Sequence, residues 1–176
     1  AMYVQMARTG KADLAMSCNC ALGGLVGITA PCAFVAPWAA VVIGLIAGGL
    51  MVVGVAFVKN ILKVDDPVGA VTVHGINGAW GLLAVGIFAA GHNDVSGLID
   101  GNAAQLGPQA LGLVVAIAWA LGAGLLLFKM LDLTMGLRAS EEEEDQGLDE
   151  PEHGALAYPE MAPQTGGIAP DSAGAG

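Results

Sequence analysis

Residues 65–81 read DDPVGAVTVHGINGAWG, in which two carboxylates precede an almost wholly apolar segment. Asp66 is suited to cap a helix N-terminus, because its carboxylate can accept hydrogen bonds from backbone N–H groups that have no partner within the helix. Pro67 suits the first helical position, where a missing N–H costs little. The stretch predicts a helix that begins at Asp66-Pro67, continues to residue 90 and carries one histidine, His74.

The composition around this stretch predicts an all-α membrane protein. Of the 176 residues, 55% are hydrophobic and 12% are charged, and the mean hydropathy is +0.67, which lies outside the usual range of soluble domains. A transmembrane helix needs about 20 apolar residues. Four stretches are therefore predicted to cross the membrane: residues 14–37, 38–58, 67–90 and 105–131.

The basic residues predict how these helices are oriented. All six lie at alternate helix ends: Arg8, Lys11, Lys59, Lys63, Lys129 and Arg138. Positive charge is retained on the cytoplasmic side, so residues 1–13, 59–66 and 132–176 are predicted to be cytoplasmic. Residues 91–104, rich in Gly, Asn and Asp, are predicted to be extracytoplasmic. We expect a multi-pass protein of the cytoplasmic (plasma) membrane with its C-terminus in the cytoplasm.

The C-terminal segment carries most of the negative charge. Ten of the sixteen acidic residues follow Arg138, and the formal net charge is −10. This distribution predicts a solvated tail and argues against a nucleic-acid partner. From Thr165 onward the chain is mostly Gly, Ala, Pro and Ser, which cannot form a packed core, so we expect disorder there.

Small residues predict close helix packing. Glycines recur at short intervals as Gly23 with Gly27, Gly44 with Gly48, and Gly75, Gly78 and Gly81. Small residues allow helix backbones to approach one another in lipid. The three cysteines, Cys18, Cys20 and Cys32, lack a common metal or redox spacing and are predicted to be small buried residues. No metal site or cofactor is expected.

His74 is the ionisable residue of greatest interest, because it lies about 10 Å inside the predicted helix. Asn77, Gly78 and Gly81 follow it at helical spacing, so this face is predicted to be polar or small and could line a channel. His74 could equally hydrogen-bond a neighbouring helix, and the residues alone leave both interpretations open. In a channel, a neutral imidazole could accept a proton, whereas an entering cation would lose hydration at a cost of several kcal/mol.

The sequence resembles the ammonium transporter family (Amt/Mep/Rh). The stretch at 65–81 is similar to the family's signature of DDP leading into VHG, and two further blocks match in the same order: residues 19–30, and residues 137–149 with 152–154. The resemblance covers roughly residues 1–160. It implies homotrimers of eleven-span protomers with an inverted repeat and a narrow apolar pore, of which these helices would be the last four. Without preceding spans we would expect the chain to aggregate or insert poorly.

The resemblance also implies roles for individual residues. His74 matches the second of the family's paired pore histidines. Ala70 matches a position that faces the pore, and Thr29 matches a position close to the inner pore. The family's regulatory tail, which responds to PII-type signal proteins, is matched by six residues: Gly147, Leu148, Asp149, His153, Gly154 and Tyr158. Two positions depart from the family pattern, since Gly69 and Ala155 stand where acids are often found.

The function implied by the resemblance is transport of ammonium or ammonia across the membrane, and not an enzymatic reaction. Whether NH3, NH4+ or a separated proton and NH3 crosses is left open. Two alternatives also stay open: an ammonium sensor of the same fold, and a non-conducting module that acts only through interactions.

Overall fold

The computed structural model describes residues 3, 6, 7, 10, 11 and 13–158. The chain divides into two units, Ala1–Ala123 and Gly124–Gly176, and each is described by itself. The described residues from 13 to 158 contain six α-helices: α1 (Leu14–Thr29), α2 (Pro37–Phe57), α3 (Asn77–Phe88), α4 (Leu106–Met135), α5 (Glu141–Gln146) and α6 (Asp149–His153). Within the described residues, β-structure is limited to the isolated bridges Val35–Ala89 and Ala90–Ser96, so the all-α prediction is confirmed.

Among the residues that the structure describes, three helical stretches are long and apolar enough to cross a membrane: Pro37–Leu62, Val71–Phe88 and Ala103–Met135. The predicted first span is shorter than expected, because α1 has 16 residues and ends at Thr29. The prediction that it continues to Pro37 is wrong. Pro31 has no backbone N–H with which to continue the helical hydrogen bonds, and a series of turns connects to α2, where Pro37 stands in the first turn.

Two stretches of π-helix flank the loop between α2 and α3. Val58–Leu62 extends α2, and Val71–Ile76 leads directly into α3. Such i→i+5 turns are rare and often occur at functional sites. The first stretch is followed by Lys63, whose backbone is left-handed with φ of 54°. The span predicted at 67–90 is therefore helical from about Ala70 to Phe88 and changes its helical period within its length.

Asp66 caps this span as predicted. Its two carboxylate oxygens accept hydrogen bonds from the N–H groups of Ala70 (2.8 Å) and Val71 (3.0 Å). Pro67 is not at the first helical position, which corrects the prediction, because it lies in a turn that is closed by the Gly69 N–H and the Asp66 carbonyl. Gly69 has φ of +72°, and a Cβ there would lie 3.2 Å from Asn19 Nδ2. These constraints favour glycine over an acid at this position.

The core of the first unit lies among α1, α2 and α3. Four residues of α2 spaced by four are fully buried and form one stripe: Ala39, Ile43, Ala47 and Met51. Trp80 of α3 crosses to this stripe and donates from Nε1 to the Ile43 carbonyl at 3.2 Å. Gly27 and Gly81 bring α1 and α3 together, since a Cβ on Gly81 would lie 2.7 Å from the Gly27 carbonyl oxygen.

The predictions for small residues are confirmed only in part. Gly23 and Gly27 are close to other helices, but a Cβ on Gly44 or Gly48 would meet no described atom within 4 Å. The prediction for the cysteines is wrong, because Cys18 and Cys32 are exposed and Cys20 is half-buried. An apolar composition indicates that a segment lies in the membrane, but it does not indicate which side of the helix packs against protein.

Residues 91–104 form the irregular connection that their composition predicts. They contain three short 3-10 turns, His92–Asp94, Leu98–Asp100 and Ala103–Gln105. Asn93 Nδ2 donates to the Ala33 carbonyl at 2.7 Å, so this connection and the α1–α2 connection are joined at the same end of the helices. That arrangement agrees with helices that alternate in direction.

The second unit contains the end of α4 and the acidic tail. Ser140 caps α5 through a capping box in which its hydroxyl accepts from the Glu143 N–H and the Glu143 carboxylate accepts from the Ser140 N–H. These bonds from Ser140, the backbone one first, lower the pKa of Glu143. An exposed ion pair joins Arg138 to Glu144 at 3.2 Å. The disorder predicted from Thr165 onward lies outside the described residues.

Candidate functional site: the exposed histidine of the π-helical segment

His74 lies in the π-helical segment Val71–Ile76, and its side chain is exposed. The opposite side of the same segment is buried, with Thr72 0% and Val73 3% exposed. The buried side packs on α1 and α2 and fixes the segment, so that its free face presents the imidazole. Ala70, which precedes His74 by four residues, is also exposed, and the two therefore share the free side of the segment.

Asn77 does not share this face, which corrects the sequence-based prediction. It is fully buried, whereas a regular α-helix would bring it near the direction of His74 three residues earlier. The reason is the π-helical segment, because a wider turn shifts every later residue around the helix axis. Asn77 therefore belongs to the packed interior and not to a pore face that includes His74.

Thr29 is also separated from His74. Gly27 packs against Gly81, so Thr29 lies about two to three helical turns along α3 from His74, toward the connection at 91–104. Its hydroxyl donates to the Leu25 carbonyl at 2.7 Å, and the donor is thus used within its own helix. The predicted place of Thr29 near the inner pore is not supported by this geometry.

Two buried polar groups next to His74 were not recognised as a unit from the sequence. Thr72 Oγ1 and Asn77 Oδ1 are buried and have no hydrogen-bond partner among the described residues. A Cβ on Gly54 of α2 would lie 2.5 Å from Thr72 Cγ2, and one on Gly23 of α1 would lie 2.7 Å from Asn77 Nδ2. The only sequence signal for this cluster is a glycine on each neighbouring helix.

The predicted regulatory residues lie in the second unit and are exposed. Gly147 and Gly154 have positive φ values of 96° and 65°, which allow the chain to turn at either end of α6. Asp149 Oδ2 accepts from the Ala157 N–H at 3.0 Å and closes the segment after α6. Leu148, His153 and Tyr158 expose their side chains, so this small folded region presents both apolar and polar groups.

Comparison with known proteins finds relatives over most of the chain. Residues 1–158 match the family model described as Ammonium Transporter Family. The chain is 47% identical to the ammonium transporter Amt2 of Archaeoglobus fulgidus over 90% of this chain and 36% of that protein. It is 34% identical to the ammonium transporter Amt1 of Haloferax mediterranei over 94% of this chain and 31% of that protein.

Solved structures show the same fold. A structure named "Sensor Amt Protein" superposes with a TM-score of 0.76 at 39% identity, covering 86% of this chain and 37% of that one. The crystal structure of Saccharomyces cerevisiae Mep2 superposes with a TM-score of 0.70 at 31% identity, covering 80% and 34%. The chain thus spans about a third of the length of the relatives that it matches.

Proposed function

The chain belongs to the ammonium transporter family, and on this premise we propose that its protein conducts ammonium or ammonia across the cytoplasmic membrane and is not an enzyme. The observation that carries the proposal is His74, an ionisable side chain exposed on a helix long and apolar enough to span the membrane.

Contact with lipid does not explain this histidine. An ionisable side chain inside a bilayer almost always faces the interior of a helix bundle or a water-filled cavity, because exposure to hydrocarbon is costly. The first unit leaves His74 uncovered while it buries Thr72 and Asn77. We therefore infer that the free face of the π-helical segment lines a path through the protein.

The chemistry of imidazole suits ammonium. A cation that enters a narrow apolar path loses its hydration, at a cost of several kcal/mol. Ammonium avoids this cost by giving its proton to a neutral imidazole nitrogen and crossing as ammonia. The imidazolium then releases that proton to water before it accepts another. Ala70, four residues nearer the predicted cytoplasmic end, adds a small apolar surface to the same side, where it would not compete for the substrate.

The family resemblance extends the proposal to assembly and regulation. We propose a homotrimer of eleven-span protomers with a cytoplasmic C-terminus. The turns at Gly147 and Gly154 and the exposed side chains of Leu148, His153 and Tyr158 support a docking region for a PII-type signal protein. Asp149 stabilises the region through its bond to the Ala157 N–H.

A sensor is the second candidate, because the superposed structure named "Sensor Amt Protein" has the same fold. A sensor would bind ammonium and pass the signal on without the sustained flux of a transporter. Measurement of flux therefore separates the two functions.

The test is methylammonium uptake by cells that lack their own ammonium transporters and express the complete reading frame. We expect saturable uptake by the wild type and altered uptake and charge movement for His74→Ala. His92→Ala is the matched control, because His92 is an exposed histidine in the connection at 91–104, and it should transport as the wild type does. If His74→Ala left uptake and charge movement unchanged, His74 would have no part in the mechanism. If the wild type bound ammonium without uptake, the sensor would be the better description.

A further inference from the structure

Asn77 hydrogen-bonds the helical turn that carries His74, and its side-chain bond to this turn acts as a clasp. It is fully buried where the π-helical segment meets α3. Its side-chain Nδ2 donates to the Thr72 carbonyl at 3.3 Å. Its backbone N–H donates to the carbonyls of Thr72 and His74. The same residue thus hydrogen-bonds the carbonyls on the two sides of Val73, one of which belongs to His74.

The two ends of the π-helical segment are each held by a side chain. At its start the Asp66 carboxylate accepts from the Ala70 and Val71 N–H groups, and at its end the Asn77 amide donates to Thr72. An i→i+5 turn is less common than the α-helix that could form in its place. The bonds of Asp66 and Asn77 therefore stabilise the π-helical turn over the α-helix. The direction of the His74 side chain depends on that stabilisation.

The neighbouring helices leave the clasp little freedom. A Cβ on Gly23 would lie 2.7 Å from Asn77 Nδ2, and a Cβ on Gly54 would lie 2.5 Å from Thr72 Cγ2. The backbones of α1 and α2 therefore approach Asn77 and Thr72 as closely as glycine permits. The amide is confined to the position from which it reaches the Thr72 carbonyl.

Stability alone does not account for an amide at this position. Asn77 Oδ1 is buried without a hydrogen-bond partner among the described residues, and a buried unpaired acceptor is unfavourable. Polar groups between membrane helices commonly contribute little to association. The specific contribution of Asn77 is the bond that it makes to the backbone next to His74.

We propose that Asn77 is a positioning residue that fixes the orientation of His74 by holding the π-helical turn through the Thr72 carbonyl. The inference rests on the proposed function, because orientation of His74 has a consequence for flux only if His74 handles the proton of ammonium. Asn77 itself lies inside the helix packing and does not touch the substrate.

Three variants of the full-length protein test this role, with methylammonium flux measured as a function of pH in proteoliposomes. Asn77→Ala removes the side-chain bond to the Thr72 carbonyl and keeps the backbone bonds. It should lower maximal flux about tenfold, because small displacements of a reacting group have large effects on rate, and it should displace the pH at half-maximal flux, because a reoriented imidazole meets a different electrostatic environment. Thr72→Val is the matched control. It removes a hydroxyl without a partner, keeps the Thr72 carbonyl and the branched shape, and should stay within about twofold of wild type.

Asn77→Asp tests the bond to the Thr72 carbonyl, with the assembly of the protein followed at each pH so that a packing defect caused by the buried charge is recognised. A protonated carboxyl can donate to the Thr72 carbonyl as the amide does, whereas a carboxylate cannot. The ratio of Asn77→Asp flux to wild-type flux should therefore rise as the pH is lowered, and the same ratio for Asn77→Ala should not. This comparison also decides the matter if Asn77→Ala fails to assemble.

The outcomes distinguish this inference from the proposed function. Wild-type flux with an unchanged pH profile in Asn77→Ala would overturn the positioning role and leave transport intact. Reduced flux with an unchanged profile, or an Asn77→Asp ratio that does not depend on pH, would assign Asn77 to packing alone and would also overturn it. Absence of wild-type flux would instead remove the proposed function.

Discussion

The contact between Gly27 and Gly81 makes a sharp prediction about how the helices are held together. A methyl group on Gly81 would lie 2.7 Å from the Gly27 carbonyl oxygen, 3.3 Å from its carbonyl carbon and 3.4 Å from its Cα. All three atoms belong to backbone and cannot rotate away. Gly81→Ala therefore has to separate α1 from α3 by several tenths of an ångström. Overpacking of this kind costs roughly 1–3 kcal/mol.

The assay is thermal stability of the detergent-purified full-length protein, followed as the fraction that remains monodisperse after heating. Gly49→Ala is the matched control, because Gly49 is exposed within α2 and a Cβ there meets no described atom within 4 Å. Alanine is favoured over glycine inside a helix by about 0.5–1 kcal/mol, so the control should be unchanged or slightly stabilised. If Gly81→Ala were as stable as Gly49→Ala, the close backbone contact would not exist as described.

Three further perturbations test hydrogen bonds that stabilise the fold. Asp66→Ala removes the acceptor of two N–H groups, and loss of such a cap should cost about 0.5–2 kcal/mol in the same heating assay; an unaltered transition would contradict the cap. Trp80→Phe keeps an aromatic ring but removes the bond to the Ile43 carbonyl, with an expected loss of at least about 0.5–1.5 kcal/mol, because the smaller ring also loses packing; an unchanged transition would contradict the bond. The hydrogen bonds from Ser140 lower the pKa of Glu143. The cap therefore stabilises α5 at a pH above 4.5, the ordinary pKa of a glutamate, and it weakens as the pH falls below that value. Amide protection factors in α5 should therefore fall on acidification, and much less so in Ser140→Ala; equal protection at neutral and acidic pH would refute the capping box.

Features set by local chemistry could be predicted from the sequence. Long apolar runs between polar connections predict membrane helices because unpaired backbone groups are costly in lipid. Asp66 predicts a cap because a carboxylate near free N–H groups is favourable wherever the helix packs. A place for Gly27 and Gly81 at helix contacts could be predicted because small residues are favoured where membrane helices pack together. None of these inferences requires knowledge of which helix is the neighbour.

Features that depend on tertiary contacts could not be predicted in the same way. The glycine pair Gly44 and Gly48 has the same spacing as Gly23 and Gly27, yet only the second pair meets another described helix. Cys18 and Cys32 are exposed despite their apolar neighbourhood. In a membrane segment nearly every face is apolar, so hydropathy does not separate the lipid-facing side from the protein-facing side.

The position of Asn77 shows most clearly where helical periodicity fails. Spacing of three residues places Asn77 beside His74 only if the intervening backbone is a regular α-helix. The π-helical segment Val71–Ile76 breaks that condition, and its stability depends on the Asp66 carboxylate, the Asn77 amide and the space left by glycines on two other helices. Because those contributions come from residues distant in sequence as well as local ones, no local pattern at 71–76 could have indicated the change of period. The same contacts explain why the polar side chain is buried while the imidazole is exposed: the neighbouring helices hold Thr72 and Asn77 inward, and the wider turn leaves His74 on the free side.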